Sequence, residues 1–230
     1  TTGVQNTLIG GLAGDALTTS GRNVALGYAA LSAETLGQYS TAIGYLALGS
    51  QSNTSNLATY NTAVGYGAGS VINTGVQNTL IGGLAGDALT VGEKNIALGY
   101  VALSSDTKGN KSTALGYAAL NAQNFTSATD TFNTAIGFEA GGAVTTGTNN
   151  TLIGGLAGDA LTDADHNVAV GGQALSTDTL GSRSVAIGQH ALQTQNFTSA
   201  TNAYNVAVGY DAGVSVTTGV QNTLIGGLAG

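Results

Sequence analysis

The sequence contains no cysteine, proline, methionine or tryptophan, and it is poor in charge. Without cysteine there is no disulfide and no thiolate metal site, and the redox compartment stays open. Charged residues make up 7% of the chain, against roughly 25% in ordinary globular domains. The five basic residues, Arg22, Lys94, Lys108, Lys111 and Arg183, form no cluster of the kind that neutralises phosphates, which excludes nucleic acid as a partner. There is no run of about 18 apolar residues, so no spanning helix and no membrane insertion by this segment are expected, and the segment contains no signal peptide. The net charge of −7 rests on twelve acids. A hydrophobic fraction of 42% argues against a solvated, disordered chain. The surface must therefore be covered by neutral polar side chains, as on extracellular fibres.

What is abundant is glycine, at 37 residues, and it falls on a schedule. The pattern Asn/Ser-x-x-(Ile/Leu/Val)-Gly recurs thirteen times, starting at Asn6, Asn23, Ser40, Asn61, Asn78, Asn95, Ser112, Asn133, Asn150, Asn167, Ser184, Asn205 and Asn222. Successive starts are 17, 17, 21 and 17 residues apart, and the cycle then repeats, so the larger unit is 72 residues. Super-repeats begin at Asn6, Asn78, Asn150 and Asn222, and residues 1–230 read as one continuous solenoid domain. The first and last residues lie at matching points of the repeat without atypical caps, which reads as a stretch of a longer chain.

Counting each Asn/Ser as position 0, position +1 is Thr, Val or Ile, +2 is Ala or Leu, +3 is Ile, Leu or Val, +4 is Gly and +7 is Ala. Apolar residues at i, i+3, i+4 and i+7 are not sustained, which rules out helix. The β-branched bias at +1 and +3 suits a short strand ended by the glycine at +4, where a tight turn needs positive φ. Ala at +7 and the residue at +8 are candidates for a second strand. The fold class expected is all-β: a parallel β-solenoid of about 13 coils on the 17-17-21-17 schedule, with rungs about 4.8 Å apart and a length on the order of 60 Å. Period-two alternation puts +1 and +3 on one face and +2 on the other. The branched aliphatics at +3 are expected inside, which turns the Ala/Leu column at +2 outward as an apolar stripe and hence an interface with other copies of the chain. The 21-residue intervals have a four-residue excess, which falls within 55–60, 124–129 and 196–201 and is expected to bulge as one loop every fourth coil.

The stretch Ser184-Val185-Ala186-Ile187-Gly188, with Asn23-Val24-Ala25-Leu26-Gly27 and Ser40-Thr41-Ala42-Ile43-Gly44, resembles the head repeat of YadA-type trimeric autotransporter adhesins. Runs such as Asn61-Thr62-Ala63-Val64-Gly65-Tyr66 are similar to repeats in phage and marine tail-fibre proteins. The resemblance covers essentially the whole chain. It implies a left-handed β-roll, a homotrimer about a common axis, and a role in attachment. The chain departs from that pattern in two ways: the residue before position 0 varies where the family favours Asn, and the coils are longer.

Residues that can carry chemistry are few. Asp15, Asp87 and Asp159 recur every 72 residues, four coils or about 19 Å apart, too far to share a calcium ion, and read as solvated turn residues. Glu34, Asp106 and Asp178 form a second acidic column, and Arg22, Lys94 and His166 a mostly basic one; both are expected at the surface. His166 and His190 have no accompanying ligand set, so no metal site is assigned. The run Ile9-Gly10-Gly11-Leu12-Ala13-Gly14 lacks the spacing, the following helix and the Lys-Ser/Thr of a nucleotide loop, so no cofactor is assigned. The column Tyr28, Tyr45, Tyr66, Tyr100, Tyr117, Phe138 and Tyr210 at +5 is expected to stack, or to pack against another subunit; a sugar-binding surface is the alternative. Asn53, Asn110, Asn124, Asn149 and Asn196 sit in glycosylation sequons.

No catalytic, cofactor-binding or metal-binding residue is assigned, and the chain is not expected to be an enzyme. The expected role is a structural segment of an extracellular adhesin or a viral or phage tail fibre, giving a stiff rod for attachment at a cell surface or virion. Its partner is itself, with a cell-surface receptor or glycan as a second. The alternative is the subunit of a self-assembling extracellular filament. A glycan- or ice-binding face ranks lower because Thr at +1 is read as inward.

Overall fold

The computed structural model describes residues 3–230. Two compact units are distinguished: Thr1–Ser112 with Asn124–Thr129, and Thr113–Gln123 with Asp130–Gly230. Both are built the same way. In the first, the strands Thr7–Ile9, Val24–Leu26, Thr41–Ile43, Thr62–Val64, Thr79–Ile81 and Ile96–Leu98 pair in parallel in chain order. In the second, Thr113–Leu115, Thr134–Ile136, Thr151–Ile153, Val168–Val170, Val185–Ile187, Val206–Val208 and Thr223–Ile225 do the same. Every pair is in register, +1 against +1 and +3 against +3, as with Thr41 opposite Thr62 and Ile43 opposite Val64. No helix occurs among the described residues. The fold is an all-β parallel β-solenoid of about 13 coils, one per copy of the pattern.

The sheet faces the opposite way from the sequence expectation. Position +2 points inward: Ala25, Ala42, Ala63 and Leu80 in the first unit and Ala135, Leu152, Ala186 and Ala207 in the second are fully buried. Positions +1 and +3 point outward, and Ile9 is 59% exposed. The reason is volume. A 17-residue coil encloses only a narrow interior, filled by the side chains at +2, +7, +8 and +11. Those positions trade size. Leu80 at +2 goes with Gly86 at +8 and Leu89 at +11, whereas Ala25 goes with Leu31 and Glu34. Added Cβ atoms at Gly69 and Gly86 would lie 2.7 and 2.8 Å from Leu80 methyls, so the leucine occupies the space the glycines leave. Branched aliphatics at both +1 and +3 would overfill such a core.

Positions +7 and +8, candidates for a second strand, are largely buried but form a turn. Leu31, Leu48, Leu103 and Leu120 at +8 all have φ near +50°, which extended backbone does not allow. Rung-to-rung bonding continues there nevertheless, with Leu31 N–H donating to the Ala47 carbonyl at 3.0 Å. The glycine at +4 is required. Gly27 has φ +135°, and a Cβ on it would sit 2.5 Å from the carbonyl oxygen of Gly44 on the next rung.

Position 0 forms a buried amide ladder. The Asn78 Nδ2 donates to the Gly92 carbonyl of its own coil at 2.9 Å, and its Oδ1 accepts the Asn95 N–H of the next coil at 3.0 Å. Asn150 repeats this with Ala164 and Asn167. The 21-residue intervals project only at their tips, Thr54–Leu57, Thr126–Ala128 and Thr198–Ala200. Phe125 and Phe197, expected in the bulges, instead tuck in as buried anchors, exposed by 7% and 6%.

Candidate functional surface

The outward sheet face of each unit carries a continuous column of apolar side chains. Its centre is the column at +3, where Leu26, Ile81, Leu98 and Ile187 are exposed and Ile43, Val64, Ile136, Ile153 and Val208 half-buried. The column at +1 lies beside it, with Thr, Val and Ile outward. That overturns the reading of Thr at +1 as inward, and with it the reason for setting aside a surface-binding face. Beyond the Gly turn run the rings at +5. Tyr28, Tyr45 and Tyr66 stack with centroids 5.6 and 5.3 Å apart and interplanar angles of 13° and 6°. Tyr117 stacks on Phe138 at 5.2 Å. Ring faces within these stacks are covered by their neighbours, so edges and hydroxyls are what a partner meets. Such stacking contributes about 0.5–1.5 kcal/mol per pair beyond burial. Tyr39 and Tyr60 at −1 form a further stack at 5.2 Å, with the Arg22 guanidinium 5.3 Å from the Tyr39 ring.

The acidic column at +11 is not at the surface: Glu34, Asp106 and Asp178 are fully buried. The same column holds Leu17, Ile72 and Val144 in other coils, which shows why the position points inward. Each carboxylate caps turn amides. Glu34 Oε1 accepts the N–H groups of Thr35, Leu36, Gly37 and Asn53 at 2.7–3.1 Å, and Oε2 accepts the side-chain amides of Gln51 and Asn53 at 2.8 and 2.7 Å. Gln51 in turn receives the Asn61 Nδ2 at 2.8 Å, so one polar chain crosses three coils. Asp178 is held likewise by Gly181 N–H, Phe197 N–H and the Gln195 amide. Burial pushes the Glu34 carboxyl up, but the bonds from Gly37, Asn53 and Gln51 outweigh it and hold it below its ordinary value. With its acceptor positions engaged and water excluded, this group serves the fold and is not set up for proton transfer.

Asp15 is exposed as expected, whereas Asp87 and Asp159 are half-buried, and each has one buried carboxylate oxygen, Oδ1, without a hydrogen-bond partner. Burial raises both carboxyls above the ordinary range; the Glu139 charge adds to the effect at Asp159. Asp159 lines an open cavity of about 210 Å³ with Ala118, Asn121, Glu139 and Gly142. Arg22, Lys94 and His166 are exposed at −1, where Lys94 pairs with Glu93 at 2.6 Å. His190 meets Asp211 at 2.9 Å on the +6 column. No group of three or more His, Asp or Glu side chains is placed to hold a metal ion among the described residues. Of the sequons, Asn124 is exposed, Asn196 half-buried and Asn53 buried. Comparison with protein families, with curated proteins and with solved structures finds no match.

Proposed function

We propose that this chain is a structural segment of an extracellular adhesin or of a viral or phage tail fibre, and that it works as a self-associated, trimeric stalk. The observation that carries this reading is the outward column of branched aliphatics at +3, flanked by stacked rings and repeated on every coil. A monomeric soluble protein rarely leaves so long an apolar row in water. Burying it against copies of itself about a rotational axis closes the assembly and prevents sideways aggregation. The row comes from the same strand motif that resembles the YadA-type head repeat, and it replaces the +2 stripe as the contact surface. Repetition adds length at constant cross-section, so receptor contacts are spread over many weak copies, as avidity requires.

The native mass in solution tests this. A mass of three chains is expected. Ile136→Glu, on the outward face of a strand, is expected to weaken association by at least about tenfold while leaving the β-sheet circular dichroism intact. A monomer at micromolar concentration overturns the reading. Indefinite filaments in electron micrographs, in place of discrete particles, point to a self-assembling filament subunit instead.

A further inference from the structure

The ring column at +5 is interrupted. Tyr28, Tyr45 and Tyr66 stand on successive coils, a glycine follows at Gly83, and Tyr100 resumes the column on the next coil. All five lie in the first compact unit. Exposure records which ring faces are free. Tyr45, covered on both sides by Tyr28 and Tyr66, is 44% exposed; Tyr66, at the end of the stack, is 61% exposed, the highest value in the column. Tyr100 holds the pose of the stacked rings. Its Cδ2 and Cε2 lie 3.3 and 3.6 Å from where a Cβ on Gly83 would stand, and Tyr28 makes the same approach to Gly11 at 3.4 and 3.8 Å. Tyr66 is nearly parallel to Tyr45, and Tyr45 to Tyr28. Tyr66 and Tyr100 therefore present like-oriented faces across the glycine, two rungs or about 10 Å apart. A ring set midway lies about 5 Å from each, close to the 5.3 and 5.6 Å of the chain's own stacks. The second unit has no such clamp. There Phe138 is followed by Gly155 and Gly172, and a Cβ on either would meet nothing within 4 Å.

We infer that the gap at Gly83 is a binding site for one neutral hexopyranose unit of a polysaccharide, held between the faces of Tyr66 and Tyr100. A pyranose has an apolar C–H face on each side and hydroxyls around its rim. The two tyrosines match that order, with apolar ring bodies as walls and phenolic hydroxyls at the edge. Both rings are more than half exposed, so the gap opens sideways to solvent and the bound unit can belong to a longer glycan chain. The net charge of −7 selects against a nucleotide or an acidic sugar, whose own charge it repels. The site is distinct from the apolar column at +3 and does not depend on self-association. One such clamp binds weakly, and copies displayed together gain by avidity.

The full chain, coupled in many copies to fluorescent beads, is applied to an array of neutral and acidic hexopyranose oligosaccharides. Retention on at least one neutral glycan is expected. Gly83→Tyr completes the ring column at a residue whose φ lies outside the left-handed region, and it is expected to abolish retention. Tyr66→Ala and Tyr100→Ala are each expected to weaken it about fivefold. Circular dichroism and native mass are measured on every variant, so that a loss of binding at unchanged fold and mass is read at the gap and not at the subunit contact. No retention on any neutral glycan overturns the assignment, as does equal retention by Gly83→Tyr. Retention on acidic glycans alone, or quenching of tyrosine fluorescence by naphthalene without retention on any glycan, overturns the neutral sugar as the occupant. A monomeric chain that still binds through Tyr66 and Tyr100 overturns the trimer and leaves the clamp standing.

Discussion

At the scale of single residues, backbone conformation and buried charge govern the outcome. The position before each Asn/Ser lies in the left-handed region whatever its side chain: Gln77 has φ +61°, Phe132 +51° and Asn149 +58°. Non-glycine residues there cost roughly 1–2 kcal/mol, and Asn tolerates the region best. Gln77 is exposed and Gln77→Asn is expected to raise stability by about 0.5–1 kcal/mol in denaturant unfolding. Buried carboxylates give two opposite pH dependences. Glu34 has a lowered folded value, so its stabilisation is complete above the ordinary value of 4.5 and lost as pH falls through the folded one. Asp159 has a raised folded value, so it destabilises at neutral pH, and the penalty disappears as pH falls below the ordinary 3.8. Asp159→Asn is therefore expected to raise the melting temperature of the isolated chain at pH 7, with the gain fading toward pH 4. A gain independent of pH sinks that account.

At the scale of the coil, core volume is shared between positions distant in sequence. Leu80→Ala is expected to cost about 2–5 kcal/mol. Adding Gly86→Leu recreates the Ala/Leu pairing of the coil at Asn23, where Leu31 already occupies φ +54°. The double variant is expected to recover more than half of that loss, a coupling a double-mutant cycle measures directly. This exchange also shows what the sequence disclosed and what it hid. The period, coil count, short strand and glycine turn were legible because each is a strict column of residues. The inward face was misread because alternation says which residues share a side, not which side is inside, and hydrophobicity favoured Ile43 and Val64 over Ala42 and Ala63. The deciding signal was present: Leu appears at +2 only in coils with Gly at +8, as at Leu8, Leu80, Leu152 and Leu224. The +11 column likewise mixes Leu89 with Glu34 and Gln51, and its apolar members mark the acids as internal. The unpartnered oxygens of Asp87 and Asp159 had no sequence signature, since they arise from how neighbouring coils close around them.

At the scale of the molecule, the 72-residue unit is the natural quantum of length. The runs Thr7–Thr18, Thr79–Thr90 and Thr151–Thr162 are identical in sequence. Deleting residues 78–149 presents residues 61–77 with a following coil whose strand and turn, Asn150–Thr162, are identical to the Asn78–Thr90 that they already meet. The shortened chain is expected to fold cooperatively, with unchanged β-sheet signal per residue and a melting temperature within a few degrees. Deleting only residues 78–94 removes the Leu80/Gly86/Leu89 coil that fills the space beside Gly69, and is expected to destabilise the fold by several kcal/mol.

Because every strand lies crosswise and bonds only to the rungs before and after it, tension applied along the stacking direction within a unit meets one rung at a time. Optical-tweezer extension should then show peeling at a nearly constant force. Each released turn of 17 residues would add about 60 Å of contour, so the chain would lengthen under load like a spring giving up its windings singly, long before it could snap as a whole.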